Sequence, residues 1–165
     1  MILLYHGSST IISEPLVNIG RKNLDFGPGF YLTSIYKQAE QWARRISIQR
    51  GSSTAYVSHY EFDERIFKDN AYRICRFTSY DKQWLEFIVA SRKGESPWEL
   101  YDIIEGGIAD DKVIEAVEAY IAGYASVETT LGQLAYAKPN HQICIRNQEI
   151  IDTHLKFIKY NKFGL

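Results

Sequence analysis

The sequence predicts an α+β domain. Strand-like segments lie at both ends and helical periodicity is concentrated between them. Strand and helix do not alternate in the regular way that a doubly wound sheet requires. The 165 residues suit a single domain, 1–165, with one core, and no repeat, linker or low-complexity tract divides them.

The elements follow in order. Ile2 to His6 reads as a short buried strand and Gly29 to Thr33 as another, joined by a polar connection that holds Pro15, Gly20 and Arg21. Residues 35–49 are helical in pattern, with Ala39, Trp42, Ala43 and Ile46 spaced along one face, and Gly51 ends the helix. Ala55 to Phe62 alternates as a strand, and Asp81 to Arg92 returns to helix on Trp84, Leu85, Ile88 and Val89. Tyr101 to Ile104 is strand-like until Gly106-Gly107 breaks it, and Asp110 or Asp111 is placed to cap a helix through Val113, Ala116, Val117 and Tyr120. A further helix is expected over about 127–137. Gln142 to Ile145 is a strand, Asn147 can cap a short helix, and Lys156 to Phe163 alternates as the last strand.

Composition narrows the classes of function. A net charge of −1 gives no bulk attraction to nucleic acid or to an anionic membrane, although it leaves room for a local basic patch. The opening Met1-Ile2-Leu3-Leu4 has no basic flank and is too short for a signal peptide, and no later run could span a bilayer, so a soluble cytoplasmic protein is expected. Cys75 and Cys144 have no paired spacing and are expected as free, mostly buried thiols. Twelve tyrosines, eight phenylalanines and three tryptophans supply core area and also flat platforms for planar ligands.

Two segments concentrate the polar and aromatic groups beside glycine: Leu4-Tyr5-His6-Gly7-Ser8-Ser9 and Asp25-Phe26-Gly27-Pro28-Gly29-Phe30-Tyr31-Leu32-Thr33. Glycine inside a strand pattern marks a bulge or a close backbone approach to a ligand. His6 at a strand end can donate to a ribose hydroxyl, or be a satisfied histidine at a turn. Tyr31 can be a core ring or a stacking face over a flat heterocycle.

Taken together, an upstream His-Gly-Ser followed by Gly27-Pro28-Gly29-Phe30-Tyr31 resembles the first two motifs of the ADP-ribosyltransferase superfamily, in its poly-ADP-ribose polymerase and diphtheria-toxin branch. The resemblance implies a split antiparallel β-sandwich with a helical middle segment, and NAD as co-substrate. Carried over residue by residue, it implies that His6 meets the adenosine ribose, that the Gly7 backbone clamps the nicotinamide carboxamide and that Tyr31 stacks on nicotinamide. Ser8 and Gly29 fall in the same two NAD-binding motifs. A second stacking aromatic corresponds to Trp42, eleven positions after Tyr31 on the next helix. The third motif, most often glutamate at the start of a late strand, corresponds to Gln142. Glutamine can hold a ribose hydroxyl but carries no charge and is a poor base. His6, Tyr31 and Gln142 thus form the implied triad. A glutamine there, with Trp84-Leu85-Glu86-Phe87-Ile88 and 101–111, is similar to a bacterial, toxin-like branch of the superfamily. The implied activity is mono-ADP-ribosyl transfer from NAD to a protein or nucleic acid, with a small antitoxin-like partner. The alternative is an NAD-binding or interaction module without turnover.

Other polar residues admit two readings each. Arg21 can bind the NAD pyrophosphate or be a solvated loop arginine. Glu86 can be buried and functional or face solvent on its helix, and Glu149, seven residues beyond Gln142, can replace the missing glutamate or sit in the first turn of a helix, where the dipole favours an acid. Asp102, Asp110 and Asp111 can be read as a divalent-ion site, but helix capping accounts better for the latter two. His141 should point away from Gln142 if its strand is regular.

Overall fold

The structure, a computed structural model, describes residues 1–19, 24–137 and 140–165. Two sheets meet face to face. The first has the order β1 (Ile2–Ser8), β3 (Thr54–Phe62), β7 (Leu155–Gly164) and is antiparallel throughout. The second has the order β2 (Phe30–Leu32), β6 (Gln142–Ile145), β5 (Ile103–Gly106), β4 (Ile74–Arg76). Its β4–β5 pair is parallel, so this sheet is mixed where the sequence implies a purely antiparallel one.

Strand alternation sorts the side chains into layers. Leu4, Tyr60 and Phe62 from the first sheet meet Phe30, Leu32, Ile103, Ile143 and Ile145 from the second, and Ile150 and Ile151 of α5 (Gln148–His154) close this core. On the other face of the second sheet, Ile104 and Cys144 pack against Trp84, Leu85, Phe87 and Ile88 of α2 (Lys82–Arg92), Val113 and Val117 of α3 (Asp111–Ile121) and Leu134 of α4 (Val127–Leu134). Helix α1 (Tyr36–Gln49) covers the outer face of the first sheet through Ala39 and Ala43 against Ala55 and Val57. The molecule is therefore an α+β fold with helix layers outside two sheets.

Local chemistry accounts for most boundaries. Asp81, Asp110, Ser126 and Asn147 each accept a backbone N–H at the start of a helix, as N-cap residues do. The fourth helix stops at Leu134, three residues short of the expected end. The strand expected from Tyr101 begins at Ile103, because Tyr101 closes a 3-10 helix over Pro97–Leu100 and the Asp102 carboxylate binds the Arg73 backbone N–H and guanidinium. Strand β4 has only three residues, too few to show a period. Trp42 departs from the expected buried face of α1: it is 39 % exposed, whereas Ala39 and Ala43 are buried. Only alanine fits the tight approach of α1 to β1, and the indole is left at the margin. Among the described residues no helix is long and apolar enough to cross a membrane.

Candidate functional site

The site forms where the two sheets part company. Tyr5 of β1 exchanges both backbone hydrogen bonds with Thr33, just past β2, at 2.8 and 3.0 Å. Continuing that register would set Gly7 opposite Tyr31. The next rung is not made between backbones. Instead the His6 Nδ1–H donates to the Tyr31 carbonyl at 2.7 Å. Because backbone groups alternate sides along a strand, the Gly7 N–H and C=O face the same side as those of Tyr5, into the opening between β1 and β2.

The His6 hydrogen bond settles its tautomer. A carbonyl only accepts, so Nδ1 carries the proton and the neutral ring offers Nε2 as an acceptor. Burial is the largest influence on His6 and lowers its pKa below 6.5, against the opposing effect of the Tyr31 carbonyl. The ring also stacks on Phe30, 4.5 Å between centroids. The Nδ1–H of His6 is thus spent within the protein, and the neutral ring has Nε2 left to accept a hydrogen bond.

Tyr31 is half-buried and its hydroxyl donates to the Gly27 carbonyl at 2.6 Å; burial first, and then the neighbouring Cys144 and Asp25, make that hydroxyl harder to ionise. Tyr31 pairs with Cys144, so alternation places Gln142, two residues along β6, on the same face and diagonal to Tyr31. The Gln142 side chain is half-buried and makes no hydrogen bond to a described residue. Gly7 lies against α1, which covers it from the outer side of β1. Trp42 adjoins Ala43, whose backbone is among the atoms nearest Gly7. The structure thus joins His6 to Tyr31 and sets Gln142 diagonal to Tyr31, while Gly7 and Trp42 belong to the packing of β1 and α1.

Gly7, Gly29 and Ser8, all expected at the ligand, are each engaged by contacts within the protein. A Cβ on Gly7 would lie 2.0 Å from the Ala39 carbonyl oxygen, so helix packing alone demands glycine there. A Cβ on Gly29 would lie 2.6 Å from Cys144 Sγ, so β6 excludes any larger residue. The Ser8 hydroxyl is committed to a turn, donating to the Thr10 carbonyl and accepting from the Thr10 N–H. Arg21 lies outside the described residues.

Residues that sequence reasoning passed over hold the second motif in place. Arg146 donates to the carbonyls of Pro28, Trp98 and Tyr101 and lies over the Trp98 ring at 4.6 Å. Gly27, at φ +78°, sits under that indole, where any side chain would strike it. Arg92 grips Asp25 with two hydrogen bonds of 3.0 and 2.9 Å. No spacing signal links these partners, since they come from separate elements. Glu86 pairs with Lys82 and faces solvent, Glu149 occupies the first turn of α5, Asp102 pairs with Arg73 and Asp110 caps α3. Cys75 and Cys144 are free, with burial pushing their thiols up to about 11 and about 12.

A family model described as "Protein of unknown function (DUF3990)" matches residues 2–157, and the chain belongs to that family. No curated protein and no solved structure matches it.

Proposed function

We propose that this member of the DUF3990 family binds NAD where β1 and β2 part and transfers its ADP-ribosyl group to a protein or nucleic acid. The observation that carries the reading is the meeting of the His-Gly and Gly-x-Gly-Phe-Tyr segments through His6 and the Tyr31 carbonyl, with Gln142 on the neighbouring strand. The Gly7 N–H and C=O offer a donor and an acceptor side by side, the complement of a primary carboxamide. Tyr31 supplies an aromatic face, with Trp42 at the margin, for a flat pyridinium. His6 Nε2 can accept from one ribose hydroxyl and the Gln142 amide can bond the other ribose. The ligand identity comes from the motif resemblance, and the layout supports it by bringing the two motif segments and the Gln142 strand together. The fold proposed with it is the split β-sandwich of that superfamily.

As neutral nicotinamide leaves, positive charge develops on the ribose, and the Gln142 oxygen favours it as a dipole. A carboxylate would favour it more. That difference supports a second reading of the same cleft, as a module that binds NAD without cleaving it.

Incubation with adenine-labelled NAD and a cell lysate, followed by separation of protein from nucleic acid, tests the proposal. Label is expected with the natural chain and not with Tyr31→Ala, and equal label from both rejects the assignment. Calorimetric NAD binding with no nicotinamide release selects the second reading. A small antitoxin-like partner is part of the proposal and would be found as a co-expressed protein that blocks labelling.

A further inference from the structure

Helix α1 is tied to the strand of Gln142 by a side chain that neither reading uses, Gln38. Backbone groups alternate sides along β6. The Arg146 N–H reaches the Asp102 carbonyl on the β5 side, so the groups of Gln142 and Cys144 face β5 too, and those of His141, Ile143 and Ile145 face β2. On β2 the groups of Thr33 are spent on Tyr5, so those of Leu32 and Ser34 face β6. A continued ladder would have Ser34 and His141 exchange both backbone hydrogen bonds. The chain turns into α1 there instead: Thr33 Oγ1 accepts the Ile35 N–H, and the Ser34 N–H goes to His141 Nδ1 at 3.1 Å. The Gln38 amide takes the empty place, donating to the His141 carbonyl at 2.6 Å and accepting from the His141 N–H at 3.1 Å. A primary amide carries a donor and an acceptor side by side, so a side chain closes the rung that the backbone leaves.

The His141 side chain is anchored separately, on the face of the sheet opposite to Gln142. A backbone N–H can only donate, so Nδ1 holds the lone pair that receives Ser34, and Nε2–H donates to Glu105 Oε1 at 3.0 Å. Arg76 binds the other oxygen of Glu105. The residue before Gln142 is therefore held at its backbone and at both ring nitrogens, and the residue after it, Ile143, pairs with Leu32. Gln142 sits between two closed rungs. Its own amide makes no hydrogen bond to a described residue, so the direction of that amide follows from the backbone that carries it.

We propose that Gln38 is the positioning residue of the Gln142 amide, acting through the His141 backbone. This rests on the NAD reading above. As the bond from the ribose anomeric carbon to the nicotinamide nitrogen breaks, neutral nicotinamide leaves with the electron pair and positive charge is left on the ribose. A carboxylate at position 142 would attract that charge whichever way it is turned, because it bears a full negative charge. An amide bears a dipole, which helps only when its oxygen end is aimed at the ribose. A glutamine at this position therefore depends on a strand end that is held in register, and Gln38 supplies the rung that holds it. The contacts of His6 and Tyr31 lie on β1 and β2 and do not pass through that rung, so Gln38 governs turnover far more than NAD affinity.

Nicotinamide release, and NAD affinity by calorimetry, are measured for the natural chain, Gln38→Met, Gln142→Glu and the double variant. Methionine keeps the length of the side chain and removes both bonds; Gln38→Asn, which withdraws the amide by one methylene, replaces it if the methionine variant does not fold. The expected result for Gln38→Met is release slowed about 10- to 100-fold, with NAD affinity within about 3-fold of that of the natural chain. In the Gln142→Glu background the same substitution should slow release by no more than about 3-fold, because a charge needs no aim. A rung that only supports the fold would slow both backgrounds equally, and that result overturns the proposal. An undiminished rate in Gln38→Met, an affinity loss that matches the rate loss, or a Gln142→Glu chain slower than the natural one overturns it as well. So does a natural chain that binds NAD and releases no nicotinamide, which selects the binding module. Absence of NAD binding by the natural chain rejects the reading beneath it instead.

Discussion

His6 and His141 stand on either side of the β1–β2–β6 junction as opposite tautomers. His6 spends its Nδ1 proton on the Tyr31 carbonyl, stacks on Phe30 and has no carboxylate beside it among the described residues. His141 accepts at Nδ1 from the Ser34 N–H and gives its Nε2 proton to Glu105. The partner of the second nitrogen decides what an imidazole can do. One keeps a nitrogen lone pair with which to accept from a hydroxyl; the other is held at both nitrogens, by the Ser34 N–H and by Glu105.

The largest expected break in this contrast is Phe30→Ala. Phe30 is 6 % exposed and sits in the inter-sheet core, so its loss should cost about 3–5 kcal/mol in urea unfolding. Water admitted beside His6 should also bring its pKa back up toward 6.5, read by NMR titration. A lowered midpoint with an unmoved His6 titration would mean that Phe30 is not what desolvates the ring.

Next in size is Gly7→Ala, whose new Cβ would strike a backbone carbonyl rather than a yielding side chain. Thermal unfolding should show a loss of about 1–3 kcal/mol. Wild-type stability in this variant would show that α1 can slide along β1, and that helix packing does not require glycine there.

The pH dependence of stability follows from His6, His59 and Glu105. His6 has a folded pKa below its unfolded 6.5, so as pH falls the unfolded chain binds the proton first. Its contribution is complete above about 6.5 and is lost as pH drops through the folded value. His59 acts in the same direction: burial lowers it, the Asn161 bond opposes and Lys159 adds to the lowering. Glu105 is also lowered, and its contribution is present above 4.5 and lost below that as pH passes its folded value. Urea midpoints measured between pH about 7 and about 5 should therefore fall, and His6→Gln should flatten the slope while Glu105→Gln leaves it intact.

Glu105→Gln gives the smallest change in stability. The carboxylate is only partly enclosed by His141 and Arg76, and its replacement should cost about 1 kcal/mol or less in chemical denaturation. A much larger loss would make Glu105 a structural anchor first.

Much of the layout is legible in the sequence because its causes are local. The helix at 36–49, the strand at 142–145 and the caps Asp110 and Asn147 follow from periodicity and from side chains that bond their own neighbours. Trp42 is misplaced by helical spacing, which counts a tryptophan and an alanine alike, while the contact with Gly7 admits only the smaller residue. The parallel edge of the second sheet escapes the same reasoning because three residues of β4 show no period.

The candidate site divides in the same way. His6-Gly7 and Gly29-Phe30-Tyr31 could be singled out as motifs, since glycine and aromatic residues within a strand pattern are visible in one dimension. By itself the sequence determined the order and kind of the α-helices and of every strand but β4, the polar ends of β1 and β6 and the uncharged side chain at Gln142. Tertiary structure alone decided that His6 is an acceptor, that Arg146 and Trp98 clamp the Gly27 turn, and that Ser34 meets His141 from 107 residues away. A hydrogen bond across that separation depends on how two strands and a helix pack, and it leaves no local trace in the order of the residues.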